Sequence, residues 1–168
     1  MIPYLKGRQI SAGDGYTVVI DFDYNVWVFG NNSVGQLGLG DIMNIQTPTQ
    51  IPGIKAQQVS AIYNQTALID TDNNILMCGY NRLGQLGLGD TNPRNVPTLL
   101  SNLKAKQVST GEDYTMIIDL NYNIFEVGYM GVVGCSQNYL SPIQLPNLKA
   151  IQISAGSRHT VMIASSIT

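Results

Sequence analysis

Apolar runs of about six residues, rich in Val, Ile and aromatic side chains, alternate along the whole chain with clusters of Gly, Asn and Asp. Runs this short, bounded by turn formers and enriched in β-branched residues, predict strands; none is long enough for a helix of ordinary length. In the first part of the chain the pattern predicts strand A over residues 7–12, strand B over 16–21, strand C over 25–30 and a short strand D over 48–52.

The pattern then repeats. Gln9-Ile10-Ser11-Ala12-Gly13 recurs as Gln58-Val59-Ser60-Ala61-Ile62, Gln107-Val108-Ser109-Thr110-Gly111 and Gln152-Ile153-Ser154-Ala155-Gly156, at steps of 49, 49 and 45 residues. Each copy continues through Tyr16-Thr17, Gln65-Thr66, Tyr114-Thr115 or His159-Thr160 into an apolar run. A polar turn follows from Asp21, Asp70 or Asp119, then a second apolar run ending in Gly30, Gly79 or Gly128. Two copies carry G-Q-L-G-L-G-D, at Gly35–Asp41 and Gly84–Asp90, and a proline segment closes each unit from Pro48, Pro97 or Pro142. Periods of this length are the mark of repeat architectures.

Four short strands per unit make an antiparallel meander, and a series of meanders at this period is what a radial propeller requires. The expected fold is therefore all-β: a partial β-propeller of four-stranded antiparallel blades, with three full repeats plus the start of a fourth. Residues 1–168 form a single repeat domain, divided into a tail of a preceding repeat (2–5), repeat 1 (6–54), repeat 2 (55–103), repeat 3 (104–148) and a partial repeat 4 (149–164). Glycines after strands A and C are expected to take positive φ near the crowded axis. The two leucines of G-Q-L-G-L-G-D are expected to tuck between blades. No Lys-Ser/Thr pair follows that segment, so it does not read as a phosphate loop.

The succession S-A-G, an aromatic or His before Thr, D-x-x-N, an apolar run ending in Gly, G-Q-L-G-L-G-D and Pro resembles the regulator of chromosome condensation repeat over residues 2–164. That resemblance implies propellers of about seven blades. It also implies roles as exchange factors for small GTPases, chromatin-binding proteins, ubiquitin-ligase modules or protein inhibitors. The chain departs from the family pattern in three ways. Phe29, Cys78 and Val127 stand where Trp usually precedes the strand C glycine, only His159 preserves the His-Thr pair, and the third unit lacks G-Q-L-G-L-G-D between Gly128 and Ser141.

Composition narrows the functional classes. With 44% hydrophobic and 12% charged residues the chain reads as a turn-rich globule. A net charge of −2 and a pI near 5.1 argue against direct DNA binding, which needs clustered Lys and Arg. Lys6, Lys55, Lys104 and Lys149 recur at one repeat position instead of forming a patch. Cys78 and Cys135 form no C-x-x-C pair; Cys78 lies in an apolar run and reads as core, with a disulfide between the two left open. No secretory leader or spanning run is legible, so an intracellular, soluble protein with no membrane association is expected.

Asp21-x-Asp23-x-Asn25 and Asp70-x-Asp72-x-Asn74 begin like calcium loops, but Val26 and Ile75 stand where Gly is needed and Asn32 and Asn81 where Glu is needed. Hairpin turns explain them better. His159 is the only histidine, so no His-based triad or metal pair can form in one chain. The expectation is a non-enzyme without metal or cofactor. In a meander the A–B and C–D connections emerge on one side, which gathers Asp14, Tyr16, Tyr63, Asn64, Glu112, Asp113, Tyr114, Arg158 and His159 as candidate partner-binding residues. Aromatic and acidic residues together suit a protein surface with basic features.

Three readings of function follow: a protein–protein interaction module binding through the loop face, an exchange or regulatory factor for a small GTPase, and a structural protein assembling through open blade faces. The last reading has an energetic basis. If each end blade exposes on the order of 400 Å² of apolar area, leaving it wet forfeits about 10 kcal/mol. Self-association through the terminal blades, with their apolar segments I-P-Y-L and V-M-I-A, is expected in preference to polar capping.

Overall fold

The computed structural model describes residues 5–129 and 138–164. Eleven strands run in simple sequence order, each antiparallel to the next: β1 (Gly7–Ala12), β2 (Tyr16–Asp21), β3 (Asn25–Gly30), β4 (Ile45–Ile62), β5 (Gln65–Asp70), β6 (Asn74–Gly79), β7 (Arg94–Thr110), β8 (Tyr114–Asp119), β9 (Asn123–Tyr129), β10 (Asn138–Ala155) and β11 (Thr160–Ala164). The fold is a partial β-propeller, as the repeat pattern predicts. Among the described residues no helix is long and apolar enough to cross a membrane. The stretch after Gly128 that lacks G-Q-L-G-L-G-D falls largely on residues 130–137, outside the described residues, together with Cys135 and residues 2–4 of the N-terminal tail.

Strands A, B and C of the first unit coincide with β1, β2 and β3. Strand D differs: it is not a separate short strand but the first half of β4, which continues without interruption into strand A of the next unit. The first half of β4 pairs with β3 as far as Lys55, and from Ala56 onward it pairs with β5. β7 changes partner between Lys104 and Ala105, and β10 between Lys149 and Ala150. A residue of positive φ precedes each change, Gly53 at 71°, Asn102 at 65° and Asn147 at 59°. A left-handed residue bends the strand, and Gly and Asn tolerate it best. Ala56, Ala105 and Ala150 at the change are wholly buried.

Three blades result, the last one followed by the two-stranded start of a fourth. Each blade has two unlike faces, because side chains alternate along a strand. Val18, Ile20, Val26 and Val28 of blade 1 form one core with Val59, Ala61 and Leu68 of blade 2. Ala67, Ile69, Ile75 and Met77 of blade 2 repeat the arrangement with Val108 and Ile117 of blade 3. Met116, Ile118 and Ile124 of blade 3 repeat it with Ile153 of the fourth unit. Leu37 and Leu86 are wholly buried in these junctions, with Leu39 and Leu88 packed beside them, as expected for the G-Q-L-G-L-G-D segment.

Polar ladders join the same junctions. Gln9 Nε2 donates to Val59 O and Gln9 Oε1 accepts from Val59 N, both at 3.1 Å. Gln58 grips Val108 in the same way at 3.0 Å, and Gln107 grips Ile153 at 2.8 and 2.9 Å. One step along, the hydroxyls of Ser11, Ser60 and Ser109 accept from the N–H groups of Ala61, Thr110 and Ala155. These contacts satisfy backbone groups of a strand A that the four-stranded sheet leaves unpaired.

Gly30, Gly79 and Gly128 adopt φ of 113°, 101° and 96°, as expected for the end of strand C, and a Cβ there would strike the backbone of the A–B loop. After strand A the expectation holds at Gly15, whose φ is 72°, but not at the glycine that directly follows the strand. Gly13, Gly111 and Gly156 do not take positive φ; a Cβ at each would instead overlap the ring of Tyr16, Tyr114 or His159.

Candidate functional site

The A–B and C–D connections lie on one side of the sheet, tied together by backbone bonds. Asp14 N donates to Tyr63 O (2.7 Å) and Glu112 N to Ser157 O (3.2 Å), which laces the A–B loop of blade 1 to that of blade 2 and the loop of blade 3 to that of the fourth unit. Asn31, Tyr80 and Tyr129, each just after a strand C glycine, donate their N–H to Gly15, Asn64 and Asp113. The A–B loops of blades 1, 2 and 3 are therefore each held from two sides. Gln36 adds a side-chain tie, donating from Nε2 to Asn64 Oδ1 at 2.9 Å.

The C–D loops of blades 1 and 2 are each built around a buried asparagine. Asn32 Oδ1 accepts from Leu37 N at 2.9 Å and its Nδ2 donates to Asp41 O at 3.1 Å; Asn81 does the same for Leu86 and Asp90 at 2.9 and 3.0 Å. Asp90 also meets Arg94 at 2.7 Å, and that guanidinium holds its carboxyl below the usual range.

The predicted site residues divide into two groups. Tyr63, Asn64, Glu112 and Asp113 come together with Gln65 and Tyr80 around a cavity of about 190 Å³ between the loops of blades 2 and 3. Arg158 stands at its edge, Nε 3.6 Å from Glu112 Oε2, and Ser157 Oγ donates to the same oxygen at 2.6 Å. Partial burial raises the Asp113 pKa, and the neighbouring Glu112 adds to the rise while Arg158 opposes it. Asp14 is exposed on the same side, in the loop of blade 1.

Tyr16 and Tyr114 lie inside. They are 3% and 1% exposed, and their hydroxyls cross to the next blade. Tyr16 Oη reaches Gln65 O and Thr66 Oγ1, while Tyr114 Oη donates to His159 O at 2.7 Å. Burial raises the pKa of both phenols. Between them Gln65 makes the same crossing, Nε2 donating to Gly111 O and Tyr114 O. His159 holds this position in the fourth unit, where it is exposed.

Other candidate chemistry resolves into structure. Asp21 Oδ1 accepts from Asp23 N and Asn25 N, and Asp70 and Asp119 hold their turns alike, all at 2.8–2.9 Å. Lys55 Nζ donates to Asp23 O and Lys104 Nζ to Asp72 O, so the recurring lysine closes the B–C turn. Cys78 is a buried free thiol, its pKa pushed up to about 12 by desolvation. No cluster of three metal-ligating side chains occurs among the described residues.

Sequence reasoning passed over Glu126. It is 2% exposed in β9, burial raises its pKa, and its Oε2 has no partner among the described residues. Val28 and Met77 occupy the same position in the first two units, and that contrast was the available signal.

Comparison with solved structures shows the same architecture in Prp20p from Saccharomyces cerevisiae, at 17% identity and a TM-score of 0.83, over 96% of this chain and 44% of that one. Human WBSCR16 aligns at 20% identity and 0.84, over 95% and 45% of the two chains. The ectodomain of the Arabidopsis thaliana receptor kinase ACR4 aligns at 13% and 0.59, over 95% and 46%. At these identities the likeness is one of fold, and the chain spans less than half the length of each. Comparison with curated protein sequences gives no match. The family model for the regulator of chromosome condensation (RCC1) repeat matches residues 24–69 and 72–118, and a second model of the same description matches 8–36. By these matches, and by the blade geometry they fall on, the chain belongs to the regulator of chromosome condensation (RCC1) repeat family.

Proposed function

We propose that the chain is a protein-interaction module whose loop face receives a basic segment of a partner protein. The supporting observation is the cavity between blades 2 and 3, where Glu112 and Asp113 stand beside Tyr63 and Tyr80. Carboxylates next to aromatic faces suit an Arg or Lys side chain, through ion pairing and cation–π attraction together. The loops are fixed by inter-blade backbone bonds, so little ordering entropy is lost on binding. Prp20p, which shares the fold, is described by its binding to Gsp1p and histones. Yeast RCC1 (Prp20) is described in a complex with Kap60. The role proposed is binding and not catalysis.

Affinity capture with the wild-type chain and with the Glu112→Gln/Asp113→Asn double variant tests this reading. Partners retained by the wild type, lost by the variant and weakened by salt support it; identical captured sets overturn it. The second reading, exchange activity on a small GTPase, predicts accelerated nucleotide release from a GTPase panel.

A further inference from the structure

The C–D loops of blades 1 and 2 share one skeleton and differ in what they show to solvent. Asp41 Oδ1 accepts from Met43 N and Asp90 Oδ1 from Asn92 N, both at 2.9 Å. In the blade 2 loop a guanidinium completes the arrangement. Arg94 Nη2 donates to Asp90 Oδ2 and Nη1 to Asn92 O, each at 2.7 Å, so one side chain takes a carboxylate and a backbone carbonyl together. The blade 1 loop has Ile45 at that position, and Ile45 packs against the core between blades 1 and 2. Among the described residues no cationic side chain pairs with Asp41.

The surroundings of Asp41 change in concert. Ile42 and Met43 are 60% and 66% exposed where the blade 2 loop has Thr91 and Asn92. Val96, half exposed, lies across the junction beside Gly40, where the next junction has Ser141. Three apolar side chains thus replace three polar ones around an aspartate that lacks its arginine. Their exposure does not come from the start of the chain, because Thr91 and Asn92 are also exposed in blade 2, which has a blade on either side. Adjacent large apolar side chains left in water add no burial to the fold, and a contiguous apolar patch beside a charge marks an interaction site.

We propose that the blade 1 C–D loop receives an arginine of a partner protein together with apolar residues on the same face of the partner's segment. The guanidinium takes the place that Arg94 fills in blade 2, donating to Asp41 Oδ2 and Met43 O, while the apolar residues cover Ile42, Met43 and Val96. Arginine suits the site better than lysine, because its planar fork reaches both acceptors at once. The site is separate from the cavity between blades 2 and 3 and does not depend on it.

The probe is the fluorescein-labelled, amidated peptide Leu-Ser-Arg-Ser-Leu, whose leucines share a face with the arginine when extended. Fluorescence anisotropy reads its affinity for the full chain, and the Met43 methyl resonance reads its place. Saturable binding that shifts this resonance is expected. Lysine in place of the peptide's arginine should weaken binding about tenfold, the worth of one charge-assisted hydrogen bond. Asp41→Asn should do the same while keeping the loop, since its amide oxygen can still accept from Met43 N. The double variant Ile42→Thr/Met43→Asn, which copies the blade 2 loop, should weaken binding by a similar factor. Ile45→Arg should block it by filling the place from within. Absence of saturable binding, equal affinity for the lysine peptide, or undiminished affinity in Asp41→Asn overturns the proposal. So does loss of binding in Glu112→Gln/Asp113→Asn, which would put the peptide in the cavity. Wild-type dimers that dissociate on Asp41→Asn would overturn it too, since the occupant would then be a second copy.

Discussion

Gln9 holds Val59 through both of that residue's backbone polar groups, one bond in each direction at 3.1 Å. The two residues lie in neighbouring blades, so the clamp acts as a hydrogen-bonded splice between sheets that share no strand pairing at that point. With the serine ladder beside it, it fixes the register of one blade on the next. An apolar stripe alone would leave blades free to slide, because hydrophobic contact is not directional.

Replacing Gln58 by Leu should therefore cost more than its partial exposure suggests. Val108 is 1% exposed, and the change would strand its N–H and its carbonyl. Each unsatisfied buried group costs about 1–3 kcal/mol, so a loss of about 2–6 kcal/mol is expected. Chemical denaturation followed by circular dichroism measures it. Gln144→Leu, at an exposed position of β10, should leave the midpoint within about 0.5 kcal/mol of wild type.

Gly13 and Tyr16 form a coupled pair, as do Gly111 and Tyr114, because the ring fills the space that a Cβ would occupy. In blade 2 the pair is Ile62 and Gln65, with no ring to accommodate. Gly111→Ile should overpack a buried ring and destabilise by about 1–3 kcal/mol or more. The double change Gly111→Ile/Tyr114→Gln should recover part of that loss. Denaturation midpoints of the two single variants and the double variant give the coupling energy, and simple additivity would contradict the pairing.

The boundaries of β1, β2 and β3 and the blade architecture were legible because turn formers and apolar runs recur at fixed spacing, and recurrence removes the ambiguity of a single short strand. The union of strands D and A into β4 was not legible, since Pro48 and Pro52 with Gly53 look like a break. Only the pairing shows the chain changing partner at Lys55 and Ala56 while staying extended. The loop residues Tyr63, Asn64, Glu112 and Asp113 were legible as neighbours from topology. Tyr16 and Tyr114 were not distinguishable from them, because an aromatic beside Asp or Gly reads as a loop tip. Their burial was written in the exchange of Gly and Tyr for Ile and Gln in the second repeat.

The aspartate turns carry a prediction about calcium. Both carboxylate oxygens of Asp70 are engaged locally, Oδ1 by the N–H groups of Asp72 and Asn74 and Oδ2 by the Asn74 side chain at 2.8 Å. Millimolar calcium should leave the thermal midpoint of the wild type unchanged, whereas Asp70→Ala should lower stability by about 1–2 kcal/mol through the lost backbone bonds. Differential scanning calorimetry with calcium and with chelator checks both. A calcium-dependent rise in midpoint would show that these turns bind the ion.

Glu126 gives the fold a pH dependence whose sign is fixed by its burial. Its folded-state pKa is raised by desolvation, with no opposing cation among the causes. As pH climbs through the unfolded value, about 4.3, the unfolded chain releases this proton first, so stability falls until the folded-state pKa is also passed. At neutral pH the chain then holds a carboxylate in a site where its sister repeats hold Val28 and Met77. Glu126→Met should accordingly raise the denaturation midpoint at pH 7, and Glu126→Gln should raise it less because the amide still lacks partners there. The advantage of either variant over wild type should shrink as pH is lowered toward 4, where Glu126 is mostly protonated in both states. Parallel urea melts of the three proteins between pH 4 and 8 read this directly. A wild type more stable than Glu126→Met at pH 7 would mean that the carboxylate is held by a favourable partner.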